Sequence, residues 1–192
     1  MARVAILAAI IVIAAACAAA PATGVRSPGP SPSAGPSTGS GGSTPALPCA
    51  EAIDADATLP DSYANLLGAV GLPTADSDRL ALQTSYDSGE PPLKFFAKTG
   101  LLVRGGVAFT IEVSEPSSSA LIGWGSPAEF GSTVSSAGCP GDGWLGFAGG
   151  FLVDQPHCVR LVIEALGGEE QVEVGVGAPC EGQSPPPEPS DP

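Results

Sequence analysis

A chain of 192 residues with a net charge of −13 and 43% hydrophobic content repels phosphate backbones and anionic lipid headgroups, which argues against a nucleic-acid binder and against adhesion to membranes by charge. Every acidic residue lies at or after Glu51 and every aromatic lies between Tyr63 and Phe151. Length and composition therefore leave room for one globular domain of roughly 130 residues behind a non-globular stretch.

Met1-Ala-Arg3 is a short basic start, and Val4 to Ala16 is thirteen residues without a polar side chain. Residues 1–16 thus read as a secretory signal. The run Ala14-Ala-Ala-Cys17 resembles the lipobox of bacterial lipoproteins, departing from it at Ala14, where Leu is usual. The resemblance implies that Cys17 carries diacylglycerol and anchors the chain to the outer face of the cell membrane. Two other outcomes stay open: cleavage after Ala20-Pro21-Ala22 and secretion, or an uncleaved span, since Val4 to Ala20 is 17 apolar residues, the lower limit for crossing. All three place the chain beyond residue 22 outside the cytoplasm.

Residues 17–48 are expected to form a linker, because Pro21 to Pro48 holds seven Pro, six Gly and six Ser and nothing that builds a core. As a flexible coil it reaches on the order of 30 Å, and about 100 Å if polyproline-like. Residues 49–181 form the expected domain, and 182–192 a disordered Pro-rich tail. Cys49 to Pro60 reads as an irregular arm or one helical turn. Strands are expected over Tyr63–Val70, Arg79–Ser85, Leu93–Val103, Val107–Val113, Leu121–Trp124, Ser132–Ser136 and Trp144–Leu152. The clearest is Val107–Val113, with Val107, Phe109, Ile111 and Val113 on one face and Thr110 and Glu112 on the other. Turn residues recur throughout and no 3.6-residue apolar period is sustained, which predicts an all-β antiparallel sandwich of about eight or nine strands, broadly immunoglobulin-like.

A hairpin closes the domain, Val159–Leu166 and Glu169–Val176 around Gly167-Gly168. With both glycines in a primed turn, Leu166 faces Glu169, Ile163 faces Val172, Leu161 faces Val174 and Val159 faces Val176. In that register Cys180 lies about 10 Å beyond the residue opposite Cys158, too far for a bridge. The expected disulfides are then Cys139 with Cys158 and Cys49 with Cys180. The run Cys139-Pro-Gly-Asp-Gly-Trp-Leu-Gly-Phe-Ala-Gly-Gly, with Val174-Gly-Val-Gly-Ala-Pro-Cys180, resembles a pattern in uncharacterised exported proteins of high-GC actinobacteria. That resemblance implies export and a β-fold and brings no activity with it.

Chemistry is scarce. Blue copper needs two His beside Cys, and His157-Cys158 supplies one; His157 reads as a loop residue beside Pro156. Cys49, Cys139, Cys158 and Cys180 lack paired zinc spacing and in an oxidising compartment form disulfides. Gly123-Trp-Gly-Ser126 does not match a nucleophile elbow that would use His157. Asp54-Ala-Asp56 and Asp76-Ser-Asp78 place alternate carboxylates as calcium ligands are placed, without continuing into a calcium loop. Trp124 and Trp144 can present sugar-stacking faces, but each sits in an apolar strand pattern that reads as core. No catalytic residue, metal or cofactor is therefore assigned. The expectation is a non-catalytic, membrane-tethered module that binds a protein or envelope component or has a structural role. The competing expectation is a hydrolase of the envelope using carboxylates such as Asp142 and Asp154, which glycosidase chemistry requires about 5 to 10 Å apart.

Overall fold

The structure, a computed structural model, describes residues 45–87, 92–116 and 119–187. The expected signal segment, Cys17, the expected linker before residue 45 and the expected tail after residue 187 lie outside them. Eleven strands occur among the described residues: β1 (Asp54–Ala57), β2 (Ala64–Leu66), β3 (Val70–Leu72), β4 (Ser85–Tyr86), β5 (Phe95–Arg104), β6 (Phe109–Val113), β7 (Ala120–Trp124), β8 (Thr133–Ser136), β9 (Trp144–Val153), β10 (His157–Ala165) and β11 (Gly168–Val176). They form an antiparallel all-β sandwich of a seven-stranded and a four-stranded sheet.

The seven-stranded sheet is built on β5 and β9, which pair along their whole length from Phe95↔Val153 to Arg104↔Trp144. Short strands share the outer edges of this pair. β1 and β7 lie along β9, β3 and β4 lie along β5, and β2 follows β3. The four-stranded sheet runs β11-β10-β6-β8. Alternation decides which residues go inside. Ala97, Leu101 and Val103 of β5, Phe147 and Phe151 of β9, Ile111 of β6 and Val159, Leu161 and Ile163 of β10 share one buried core.

Its most constrained rung crosses three strands, Trp124 of β7, Gly149 of β9 and Thr99 of β5. A Cβ on Gly149 would lie 2.6 Å from the Trp124 ring. The bare backbone instead lets the indole cross β9 and donate its N–H to the Thr99 carbonyl at 3.1 Å, while the ring meets Phe151 edge-on at 5.9 Å.

Several expectations are corrected. Tyr63–Val70 is not one strand: Leu67 and Gly68, both at positive φ, turn the chain between β2 and β3. Over Arg79–Ser85, Leu80 and Leu82 make only isolated bridges, to Ser184 and Val176, and β4 begins at Ser85. The expected helical turn appears as a 3-10 turn over Cys49–Glu51, but the following Asp-Ala-Asp-Ala segment is β1. Its low strand propensity is overridden by pairing with Gly146 and Trp144 of β9.

The hairpin is two residues out of the expected register. Ile163 faces Glu170, Leu161 faces Val172, Val159 faces Val174 and His157 faces Val176. The turn residues are Leu166 (φ 50) and Gly167 (φ 78), and Gly168 already belongs to β11. A leucine tolerates this left-handed conformation at a cost of about 1 to 2 kcal/mol. A slip of two keeps every side chain on its own face, so alternation alone does not distinguish the two registers.

The disulfides are Cys49–Cys139 and Cys158–Cys180, with Cα separations of 5.3 and 4.9 Å, and not the pairs expected. The expected pairing requires a chain that runs straight on from Val176. It reverses instead at Gly177 (φ 69), which donates its N–H to the Leu82 carbonyl at 2.8 Å, and this brings Cys180 back to Cys158. Ordered contacts extend outside 49–181 at both ends. Ala46 bridges Ser135 at the edge of β8, and Leu47 is buried in the core. At the other end, Ser184 bridges Leu80.

Candidate functional site

The outward positions of β9 are Trp144, Gly146, Ala148, Gly150 and Leu152, so the middle of this strand carries almost no side chain on its outer face. Gly150 pairs with Gly123 of β7 on one side and with Lys98 of β5 on the other. Phe96 lies over Gly150 and β1 over Gly146, which leaves Ala148 and the backbone of Gly149 as the floor of a trough. Its walls come from β5, whose outward Phe96 and Lys98 stand beside it, and from the segment between Gly125 and Phe130. The Ile122–Gly131 pair closes that segment into a loop, with bonds of 2.9 and 3.0 Å in the two directions. The loop lies directly on Gly123, where a Cβ would be 2.7 Å from the Glu129 carbonyl.

The trough encloses about 340 Å³, lined by Asp87, Phe96, Lys98, Ser126, Ala128 and Phe130 around a floor of Gly125, Ala148 and Gly149. Phe96 and Phe130 meet at 6.1 Å with their planes 88° apart. One ring therefore turns its edge to the face of the other. Aromatic walls, a bare floor and polar groups of both signs are features that ligand clefts share.

A second polar centre sits on the other sheet. His157, the first residue of β10 and not a loop residue as expected, has Nδ1 2.7 Å from the Gln155 carbonyl and Nε2 2.8 Å from Glu115 Oε2. Glu115 also accepts the Arg160 backbone N–H at 3.3 Å, with the Arg160 guanidinium 4.0 Å away. Both ring nitrogens face acceptors, so the imidazolium, with two N–H donors, satisfies the site best. Burial opposes that charge most strongly, but the Gln155 carbonyl, the Glu115 hydrogen bond and charge, and Asp154 together outweigh it and raise the His157 pKa. A ring engaged in this way has no spare lone pair for a base or a metal ligand.

The other candidates are not brought together. Asp142 and Asp154 flank opposite ends of the ten-residue β9, a strand that by itself spans about 30 Å, too far for the two carboxylates to share a cleft. Asp78 accepts the Leu80 N–H at 3.1 Å, within a turn held by Thr74 and Ser77. Asp54 lies in β1 opposite Gly146. The Cys158 and Cys180 sulfurs lie within 4.8 Å of a Glu173 oxygen, yet both are consumed by their disulfide and offer no thiolate. Ser126 lines the trough, whereas His157 belongs to the opposite sheet. Trp124 is core as expected, but Trp144 is only partly buried and lies under the Arg104 guanidinium, 6.0 Å from its ring centroid.

Sequence reasoning passed over Phe96 and Phe130. A usable signal was present: an aromatic on the side of β5 away from its apolar Ala97, Leu101 and Val103, opposite a strand rich in glycine. No protein-family model matches the chain, and no curated protein is significantly similar to it. The two disulfides are the chemistry of an oxidising, extracytoplasmic compartment. No helix among the described residues is long and apolar enough to cross a membrane.

Proposed function

We propose that this chain is a non-catalytic module of the cell envelope, tethered to the membrane through a lipid on Cys17, that binds an envelope component in the trough on its seven-stranded sheet. The observation that carries this reading is the trough itself, a backbone-floored cleft with aromatic walls on a rigid, disulfide-braced support. The N-terminal segment beside Ser135 leads back through the Pro/Gly/Ser-rich linker to Cys17, which supports a tethered rather than a free module. A hydrolase built on Asp142 and Asp154 lacks the proximity its chemistry requires.

Replacing Cys17 with Ser tests the tether. The parent is expected with membranes and the variant in the medium. If both are processed alike and both appear in the medium, the tether reading fails. Crosslinking on intact cells, comparing the parent with a Phe130→Ala variant, tests binding. Adducts are expected in the parent and depleted in the variant, and adducts indifferent to Phe130 would remove the trough from the reading.

A further inference from the structure

We propose that the first half of β11 is an open docking edge whose occupant is a cationic, extended segment of a partner protein, added to the four-stranded sheet as a further strand. The trough belongs to the other sheet, and this edge is independent of what the trough binds.

β11 stands at one end of the order β11-β10-β6-β8, so one row of its backbone groups points away from β10. The bonds that reach it from outside identify that row. Ala75 donates its N–H to the Glu173 carbonyl and Leu82 donates its own to the Gly175 carbonyl, each at 2.7 Å. Alternate residues of an antiparallel strand turn their N–H and C=O to the same side, so Glu169 and Gln171 point outward as well. Among the described residues, neither has a backbone or side-chain partner on that side. The edge is therefore covered from Glu173 onward and open from Gly168 to Val172, a length of roughly 14 Å, enough for a short strand. An unpaired row of this kind is a template for a strand from another chain, with main-chain hydrogen bonds supplying the affinity.

Charge selects the occupant. Glu164 faces Glu169 across the hairpin, both are exposed, and like charges directly opposite one another are unfavourable. Glu170 stands partly exposed on the other face of the strand, and Glu173 is exposed at the end of the open stretch. Among the described residues, no lysine or arginine forms an ion pair with any of these four carboxylates. A second copy of β11 laid on this edge brings carboxylates from both sides to one seam, and any acidic strand does the same within a chain of net charge −13. The charges thus guard the edge against self-association. They leave it open to a strand carrying lysine or arginine, which gains the backbone groups of Glu169 and Gln171 and relieves the Glu164–Glu169 repulsion together.

The probe is a synthetic octapeptide alternating lysine and threonine, titrated into the full chain and followed by amide NMR and hydrogen exchange. The Glu169 and Gln171 amides are expected to shift, and their exchange to slow about tenfold near saturation, as they pass from water into a ladder. Replacing Glu164→Gln and Glu169→Gln together should weaken binding about threefold to tenfold, the worth of two exposed ion pairs. That double change removes a repulsive pair and leaves the core alone, so the fold is not at risk. The same peptide fully N-methylated keeps its charge, cannot form the ladder and should not bind. Absence of shifts at Glu169 and Gln171 overturns the proposal. Shifts that the N-methylated peptide reproduces also overturn it, because they reduce the edge to an acidic patch. Binding undiminished in the double variant, or matched by an octapeptide alternating glutamate and threonine, overturns the choice of a cationic strand and the proposal with it.

Discussion

The two ends of the domain are fastened at opposite edges of the four-stranded sheet by different means, the first on β8 itself and the second on the segment around Leu80 and Leu82 that covers the C-terminal half of β11. The N-terminal strap, Pro45 to Cys49, lies along β8. Leu47 donates its N–H to the Ser135 carbonyl at 2.8 Å and buries its side chain in the core. Pro45 and Pro48 fill the space that a Cβ on Gly131 or Gly125 would need, with approaches of 2.9 and 2.5 Å. The C-terminal strap beyond Gly177 is held largely by polar groups. Ser184 exchanges backbone bonds with Ala81 and Arg79 at 3.0 and 2.8 Å. The Gln183 amide donates to the Asp78 carbonyl at 2.8 Å and accepts from the Cys180 N–H at 3.1 Å. Each strap has its own disulfide, one spanning 90 residues and the other 22. The first covers the edge of β8, and an unpaired edge is an aggregation hazard; the second holds in place the segment whose Ala75 and Leu82 bond to the edge of β11. The first works by burial and a long-range crosslink, the second by hydrogen bonds and a local one.

The disulfides give the largest expected difference. Replacing Cys49 and Cys139 together with Ala should destabilise the domain by about 4 to 5 kcal/mol, and replacing Cys158 and Cys180 by about 3 kcal/mol, because the longer loop restricts the unfolded chain more. Denaturant titration of the two double variants measures the order, and a larger loss for the second pair would break the contrast. Within the straps, Leu47→Ala should cost about 2 to 4 kcal/mol by emptying a core position. Gln183→Ala should cost about 1 kcal/mol, the net worth of its hydrogen bonds. Equal losses would mean that the N-terminal strap is held by its backbone bonds and not by Leu47.

The smallest effect is one of pH. His157 pairs with Val176 and bridges Gly177 where the C-terminal strap begins. Its pKa is raised in the folded protein. The stability it contributes is therefore fully present below the unfolded value of about 6.5 and is lost as pH rises through the higher folded value. For a partly exposed pair this is worth about 0.5 kcal/mol. Glu115→Gln should flatten the dependence across that window, whereas Leu47→Ala should leave its shape unchanged. A slope that survives Glu115→Gln would assign it to another group.

The sandwich was legible because alternation is a local property. Phe109, Ile111 and Val113 face inward as their spacing requires, and the apolar face of β10 is the one expected even though its partner strand slips by two. The disulfide pairing was not legible, because it depends on a reversal at Gly177 that no hydrophobic pattern marks. β1 was missed for a related reason: Asp54 and Ala57 gain strand structure only from the bare stretch of β9 beside them. The trough is least legible of all. Phe96 and Phe130 are remote in sequence and meet only once β7 and β9 are paired and the loop after Trp124 has folded back onto Gly123.

The position of Cys49 bears on how the domain carries mechanical load. Tension entering from the linker meets the strap at Pro45 and can peel only the few residues up to Cys49 before it reaches a covalent bond. From there it passes through Cys139 to the end of β8 and, a short way along the chain, to β9 at the centre of the larger sheet. The hydrogen bonds to Ser135 act as a short sacrificial zip. The Cys49–Cys139 bond is the stop behind it, and a domain pulled from this end reaches a hard limit of extension once those few residues have peeled.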